Sequence, residues 1–447
     1  MGTTQRSAVL LCLLAVVWFF PISTARAQTD SEVQLLFDQA FKEMLQDPSN
    51  LDKTFKYAEL GIKIGDFEAA ISALERMLLY NPDLPRVRLE LGVLYFRLGS
   101  YSIARAYLTR AVVGDNVPDD VRSRVAVFLD EIDNRLSHHK FFGSLFGGMR
   151  YQTNANVGPK RPAINLLNGE GVLDNKFTRK DDWNVFLSAN VHHIYDPHSH
   201  SGDVLETDVL FYSSQQFSQH QLDLVFAEAT VGPRGQFLRE FIENATWRPH
   251  IIGSVVNLDA SHYYYTYGAG FDFDKQINSR TNGTFSTSLV RKKYRADAGR
   301  PTARLENGDE AAAEVNLYYQ ATDDLMFTGS AGVTALGAER SSFSNRELAL
   351  GVGTIMTYGA PYNLTDAKWT TSLDGMFLYT RYSAPDPTIN SFQKRKDHEI
   401  RATLLTSVPI NKDWSVTSTL GRTVVDSNFL NYSYNNWAAS IGASMRF

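Results

Sequence analysis

Cysteine is almost missing from this chain of 447 residues: Cys12 is the only one. It lies in an N-terminal segment that reads as a leader. A mature chain without it has no disulfide, no thiol nucleophile and no cysteine-bound metal. Charge of one sign is lacking too. Lys and Arg number 44 against 49 Asp and Glu, a net charge of −5, which points to neither nucleic acid nor an acidic substrate. Long apolar runs are also absent. Beyond the leader no stretch reaches the roughly 18 apolar residues of a spanning helix, and mean hydropathy is below zero. A bundle of membrane helices is thereby excluded. Two routes stay open: a soluble exported protein, or a chain that crosses a membrane as a closed barrel of strands.

The leader has Arg6, an apolar run from Ala8 to Phe20, and then PISTARAQ, in which Ala25-Arg26-Ala27 has the A-x-A form of a cleavage site. Residues 1–27 therefore read as a secretory signal, too short in its apolar part to anchor comfortably, with Gln28 opening the mature chain. Cys12 sits inside the run, away from the cleavage point, and does not read as a lipidation site.

From Asp30 to about Leu136 the apolar period is helical, and two segments repeat at a fixed offset. Gly65, Phe67, Ala70 and Leu74 in the first correspond to Gly99, Tyr101, Ala104 and Leu108 in the second, each 34 residues on. Pro82 closes the first unit. That offset is the tetratricopeptide period. The glycine permits the turn between two helices, the alanine lets them approach closely, and the aromatic fills the space beside them. Residues 30–47 and 119–136 read as flanking helices that cover the open ends of the array. Such a stack offers a groove to a peptide or protein.

After RLSHHKFFG the period changes from 3.6 to 2. Fourteen alternating segments follow, at 143–155, 182–195, 203–217, 219–232, 247–257, 263–277, 281–295, 309–321, 323–339, 345–359, 366–383, 394–409, 411–427 and 434–447. Three features favour a transmembrane barrel over a soluble sandwich. Eleven tilted residues at about 3.3 Å each rise nearly 28 Å, close to the apolar band of an outer membrane. Connectors alternate in length: ATDD and PINKD are tight, while 157–182, 296–308 and 383–396 are long. Aromatics gather near segment ends, at Trp183, Trp247, Trp369, Trp414, Trp437 and Tyr263-Tyr264-Tyr265, where amphipathic rings favour the headgroup level. The expected architecture is α+β and multidomain: a helical repeat domain at 28–140, then an antiparallel barrel of about fourteen strands at 141–447. With the repeats in the periplasm, the first strand runs outward and the long connectors fall outside. The final strand puts Trp437, Ile441, Met445 and Phe447 on one side, a pattern that reads as a signal to the barrel assembly machinery.

Several constellations invite chemistry. His192, His193, His198 and His200 crowd one stretch, yet the first two point to opposite faces of a strand, and the group reads as a polar periplasmic turn rather than a metal site. VRKKYR (290–295) and QKRKDH (393–398) put basic clusters at the predicted outer ends, within reach of lipopolysaccharide or cargo. Asp272 and Asp274 share a face that reads as a wet lumen wall. Neither a G-x-S-x-G elbow nor a serine with an oriented histidine is present. No enzyme and no cofactor is expected. Arg150, Gln152 and Asn154 share a face of the first strand, Asn156 follows, and these four are the first candidates for a gate or cargo contact.

Together the paired repeats around Gly65–Ala70 and Gly99–Ala104, the barrel entry GGMRYQTNANVGP, the late KRKDHEIRATLLTSVPINKDWSV and the terminal YNNWAASIGASMRF resemble the surface lipoprotein assembly modulator (Slam) family. The resemblance covers nearly the whole mature chain. It implies an outer-membrane protein that moves a lipoprotein or soluble protein to the surface, with periplasmic repeats that bind cargo or a chaperone. Two rivals remain: an exopolysaccharide exporter, which usually has a longer repeat array, and a passive outer-membrane channel.

Overall fold

The computed structural model describes residues 25–113, 117–167, 169–197, 202–236, 242–364 and 367–447. Most of the leader, with Cys12, lies outside them, as do His198 and His200. The chain divides into two compact units, through Ser137 and from His138 onward. The boundary expected at 140/141 therefore moves back three residues.

The first unit is six helices: α1 (Ala25–Gln46), α2 (Leu51–Ile64), α3 (Phe67–Tyr80), α4 (Pro85–Arg97), α5 (Tyr101–Ala111) and α6 (Asp119–Leu136). Their ends are set by local chemistry. The Asn50 and Asp66 side chains accept hydrogen bonds from the Lys53 and Ala69 amides and cap α2 and α3. Pro85 opens α4 with the φ that a first helical residue needs. Gly65 and Gly99 follow α2 and α4 at φ +86° and +75°, a left-handed turn that disfavours side chains. The repeat alanines Ala70 and Ala104 are fully buried, with Leu74 and Leu108 beside them. Phe67 and Tyr101 are half-buried against the two core clusters, and Pro82 lies in the turn between α3 and α4. Met44, Leu74, Leu91 and Leu94 fill the larger cluster, each contributing about 1.5–3 kcal/mol by burial.

The second unit is a closed barrel of fourteen antiparallel strands. They are β1 (His139–Gln152), β4 (Asp182–Tyr195), β5 (Val204–Gln216), β6 (Leu224–Arg234), β7 (Ala245–Leu258), β8 (Ser261–Asn278), β9 (Thr281–Tyr294), β10 (Gly308–Thr322), β11 (Leu325–Ala338), β12 (Asn345–Tyr358), β13 (Trp369–Tyr382), β14 (Lys396–Pro409), β15 (Trp414–Ser427) and β16 (Tyr434–Arg446). Two short strands, β2 (Ala163–Leu166) and β3 (Gly169–Val172), form a hairpin within the first connection. Each barrel strand pairs with its neighbour in sequence, and β1 pairs with β16 to close the cylinder. Alternation separates the faces. Leu145, Met149, Val185, Leu187, Leu289 and Ile441 are exposed on the outside, whereas Asn184, Glu206 and Thr417 are buried on the inside. An exposed apolar belt on a closed barrel suggests an outer-membrane protein. Trp183, Trp414 and Trp437 stand exposed near strand ends, as headgroup anchors do.

All fourteen expected segments are barrel strands, with local shifts. β1 begins four residues early. Residues 220–222 form a turn of 3-10 helix, so β6 starts at Leu224 rather than 219. The end that carries His139 and Phe447 is termed proximal and the other distal. The long connections 153–181, 295–307 and 383–395 are all distal, and the tight turns 279–280 and 323–324 are proximal. The rule has four exceptions. Connections 196–203, 235–244 and 359–368 are long on the proximal side, and 259–260 is a two-residue distal turn. Asp259 and Ala260 both have positive φ there, a hairpin geometry that usually takes glycine or asparagine. The sequence therefore offers no turn signal.

Candidate functional site

The lumen has two unlike walls. On β4–β8 the inward side chains lock together as ions. Glu206 is buried and accepts from Arg234 Nε at 2.7 Å. Asp208 takes Arg248 at 2.6 Å and His192 at 2.6 Å. Arg248 and His250 reach Asp272 at 3.7 and 3.3 Å. Glu206, Asp208 and Asp272 each have a cationic partner, which is the condition for holding charge away from water. Asp274 accepts from Thr284 at 2.8 Å, so the pair Asp272 and Asp274 faces the lumen as its alternation implied. His192 lies on the lumen face of β4 and belongs to this wall, on the opposite face from His193 as the alternation implied. His193 points outward and stacks on Phe141 at 4.5 Å. Among the described residues no three His, Cys, Asp or Glu side chains gather in a metal-binding arrangement.

The wall of β10–β14 is open. Glu314, Tyr318, Asp374, Met376 and Arg401 face inward yet are exposed, so space lies before them. Two cavities of about 390 and 420 Å³ meet at Arg401 and Thr403. The second is lined by Arg150, Phe146, Phe186, Tyr212 and Ser440 as well. The Arg150 guanidinium donates to Tyr212 Oη at 2.7 Å and lies 5.5 Å from the Phe186 ring. Gln152 Oε1 accepts from Asn184 at 3.1 Å. Arg150 and Gln152 are thus lumen residues, as their alternation predicts.

Asn154 is not. It lies past the end of β1, fully buried, and does not continue that face. Its amide donates to the carbonyls of Gly158 at 2.8 Å and Asn435 at 3.1 Å, and its oxygen accepts from the Gly158 amide at 2.8 Å. Its own backbone N–H donates to Asn436 Oδ1 at 2.9 Å. Asn156 ties the two arms of the same connection, donating to Thr178 O at 2.7 Å and accepting from Lys180 N at 2.8 Å. Both asparagines organise the first distal connection rather than lining the lumen.

That connection is a strap. Its hairpin, β2 with β3, docks on the turn before β16. Asn165 accepts from the Leu430 amide at 2.9 Å and its backbone carbonyl from Asn431 at 3.0 Å. Lys160 pairs with Asp426, and the Leu167 amide donates to Thr388 O at 3.1 Å. Residues that start from β1 thereby cross β16 and reach the connections of β13–β16. Beneath the strap, β1 and β16 pair over nine residues from Ser144↔Arg446 to Gln152↔Ala438. Gly148 faces Gly442 at the middle of this seam. A methyl group on either would come within 2.3 Å of a carbonyl oxygen of the opposite strand. Met149 faces Ile441, and Met445 faces Leu145.

Near the distal mouth a further cavity of about 300 Å³ is lined by Glu306, Tyr382, Asp386, Arg395, Phe429 and Tyr432 among others. Burial pushes the Glu306 carboxyl above its usual range. Arg395 lies 4.6 Å from the Tyr382 ring and holds Asp397 at 2.6 Å.

A tetratricopeptide-repeat family model matches residues 61–127. No curated protein matches the chain. Solved structures similar to it include the Yersinia enterocolitica type III secretion chaperone SycD in complex with a peptide of the translocator YopD, with 12% identity, a TM-score of 0.23 and coverage of 25% of this chain and 88% of that one. Others are MamA, at 20% identity, TM-score 0.22 and 24% and 63% coverage, and PcrH bound to the chaperone-binding region of PopD, at 15%, 0.22 and 25% and 84%. At that level of likeness none bears on the barrel or on what the helices bind.

Proposed function

We propose that this protein is an outer-membrane translocon of the surface lipoprotein assembly modulator type. Its helical repeats bind a polypeptide cargo or its chaperone in the periplasm, and its barrel passes that cargo to the cell surface. The repeat fold is a protein-interaction module. The reaction needs no cofactor and no bond chemistry.

The observation that carries the reading is the closing seam. Cross-strand side-chain pairs each add about 0.2–1 kcal/mol to a sheet. Where Gly147 and Gly148 meet Ala443 and Gly442, that contribution is nearly lost and backbone hydrogen bonds alone hold the strands. A seam of this kind, with a folded strap tied across its distal end, serves as a lateral exit.

The test is a reversible crosslink. Gly143 and Phe447 exchange both backbone hydrogen bonds, so Ser144 and Arg446 form the adjacent non-hydrogen-bonded pair, with Cα atoms about 4.5 Å apart. That lies inside the disulfide range. The Ser144→Cys/Arg446→Cys variant is expected to support surface display when reduced and to block it when oxidised. Unchanged display after complete oxidation refutes the lateral route. Deleting the protein and comparing the displayed and released proteins identifies the cargo; an unchanged set refutes the translocon. Single-channel recording separates the passive-channel rival: steady conductance without cargo favours it, and a mostly closed barrel favours the translocon.

A further inference from the structure

On the outer face of the barrel, at its distal rim, Arg346, Arg381 and Lys396 stand directly opposite one another on three neighbouring strands. Like charges in register across a sheet repel. All three are exposed, and none forms an ion pair or hydrogen bond through its side chain with a described residue. The nearby Arg291 has Asp309 at 3.1 Å, so an acidic neighbour is available on this face where the fold calls for one. The row of three is left uncompensated.

Directly on the proximal side of this row the outer surface is dented. Ala311, Ala313 and Ala335 sit where neighbouring strands carry Val333, Leu348 and Tyr379, and a shallow apolar hollow of about 510 Å³ results. Arg346 and Arg381 form its distal lip. Alanine and Arg346 are immediate partners there, since Ala335 pairs with Arg346. The hollow opens into the apolar belt, and the lip lies one residue from the strand ends, at headgroup height.

A ligand for this site must be anionic at one end and apolar at the other, and it must reside in the leaflet at the distal rim. We infer that Arg346, Arg381 and Lys396 with the alanine hollow form a binding site for one phosphorylated, acylated glycolipid of the outer leaflet, lipopolysaccharide. A phosphate accepts paired N–H bonds from the two guanidinium groups, Lys396 adds a point charge, and an acyl chain lies over Ala311, Ala313 and Ala335. The inference rests on the outer-membrane reading of the barrel, and not on what the barrel exports.

The experiment uses full-length protein in a neutral detergent, with purified lipid A as probe and dephosphorylated lipid A and phosphatidylglycerol as comparisons. Retained heat-modifiable mobility in gels shows that each variant is folded. Arg346→Gln/Arg381→Gln is expected to weaken lipid A binding roughly tenfold or more, the worth of one charged hydrogen bond, and Arg346→Lys/Arg381→Lys to recover most of it. Ala335→Trp fills the hollow and is expected to weaken lipid A binding while leaving the charges in place. Binding should fall with added salt. Equal affinity of the folded double glutamine variant and the natural protein overturns the site. Equal affinity for lipid A and its dephosphorylated form overturns the phosphate contact, and phosphatidylglycerol binding as tightly as lipid A overturns the glycolipid. Fractionation of the protein away from the outer membrane, with lipid A binding in detergent intact, instead refutes the location and leaves the site standing.

Discussion

Replacing Asn154 with alanine should loosen the strap without dismantling the barrel. The side chain is fully buried and makes three hydrogen bonds, two with Gly158 and one with the Asn435 carbonyl. Gly158 is itself buried, and once the asparagine oxygen is removed its amide keeps only the longer bond to Asn156 Oδ1 at 3.3 Å. Each lost neutral hydrogen bond costs about 1 kcal/mol. Val157, beside it, is held at φ +54°, a conformation that resists relaxation to a new partner. A total near 3 kcal/mol follows for the closed strap, about a hundredfold shift toward the open form. The fourteen strand ladders are untouched, so the unfolding of the barrel should change little. Limited trypsin digestion at Lys160, Arg179 and Lys180 reads the strap, and heat-modifiable mobility reads the barrel. Faster cleavage with an unaltered barrel is the expected result, accompanied by more frequent opening in single-channel records. Cleavage at the natural rate would refute the claim that Asn154 holds the strap to the seam.

Two further predictions concern the helical unit. A side chain at Gly92 would place its Cβ 2.5 Å from Leu108 Cγ; Gly92→Ala should therefore cost about 1–3 kcal/mol by overpacking α4 against α5, seen as a lower helical melting temperature in detergent with the barrel transition unmoved. Tyr95 Oη donates to Glu75 at 2.7 Å, and burial together with that carboxylate pushes its phenol up to about 12. A phenol whose folded pKa exceeds its unfolded value of 10 stabilises the fold below pH 10, and that contribution drains away as pH rises toward 12. The helical unit should thus lose stability between pH 10 and 12, measured by denaturant titration, and Tyr95→Phe should flatten that loss.

Some features of the site were legible in the residues and others were not. Arg150 and Gln152 face the lumen because alternation is a local property, and the same reasoning placed Asp272 and Asp274. It failed at Asn154, where the strand has already ended and the chain turns. The ion network failed to show for a different reason. His192, Asp208, Arg248 and Asp272 come from four strands, and only the register of those strands makes them neighbours. Ala58 and Gly92, both buried where paired helices approach, are also 34 residues apart, a signal that was present in the sequence and went unread beside the louder Gly65 and Gly99.

The sequence by itself determined the two architectures and the places of their elements. A period of 3.6 with a 34-residue offset makes stacked helix pairs, and a period of 2 over long segments makes strands with one apolar face. Both patterns are set by residues close together in the chain. Only the tertiary structure decided which residues meet across the closing seam, that a strap is tied across its distal end, and that three cations line up above an alanine hollow. Those contacts join segments separated by tens to hundreds of residues, and strand register, which no local pattern encodes, brings them together.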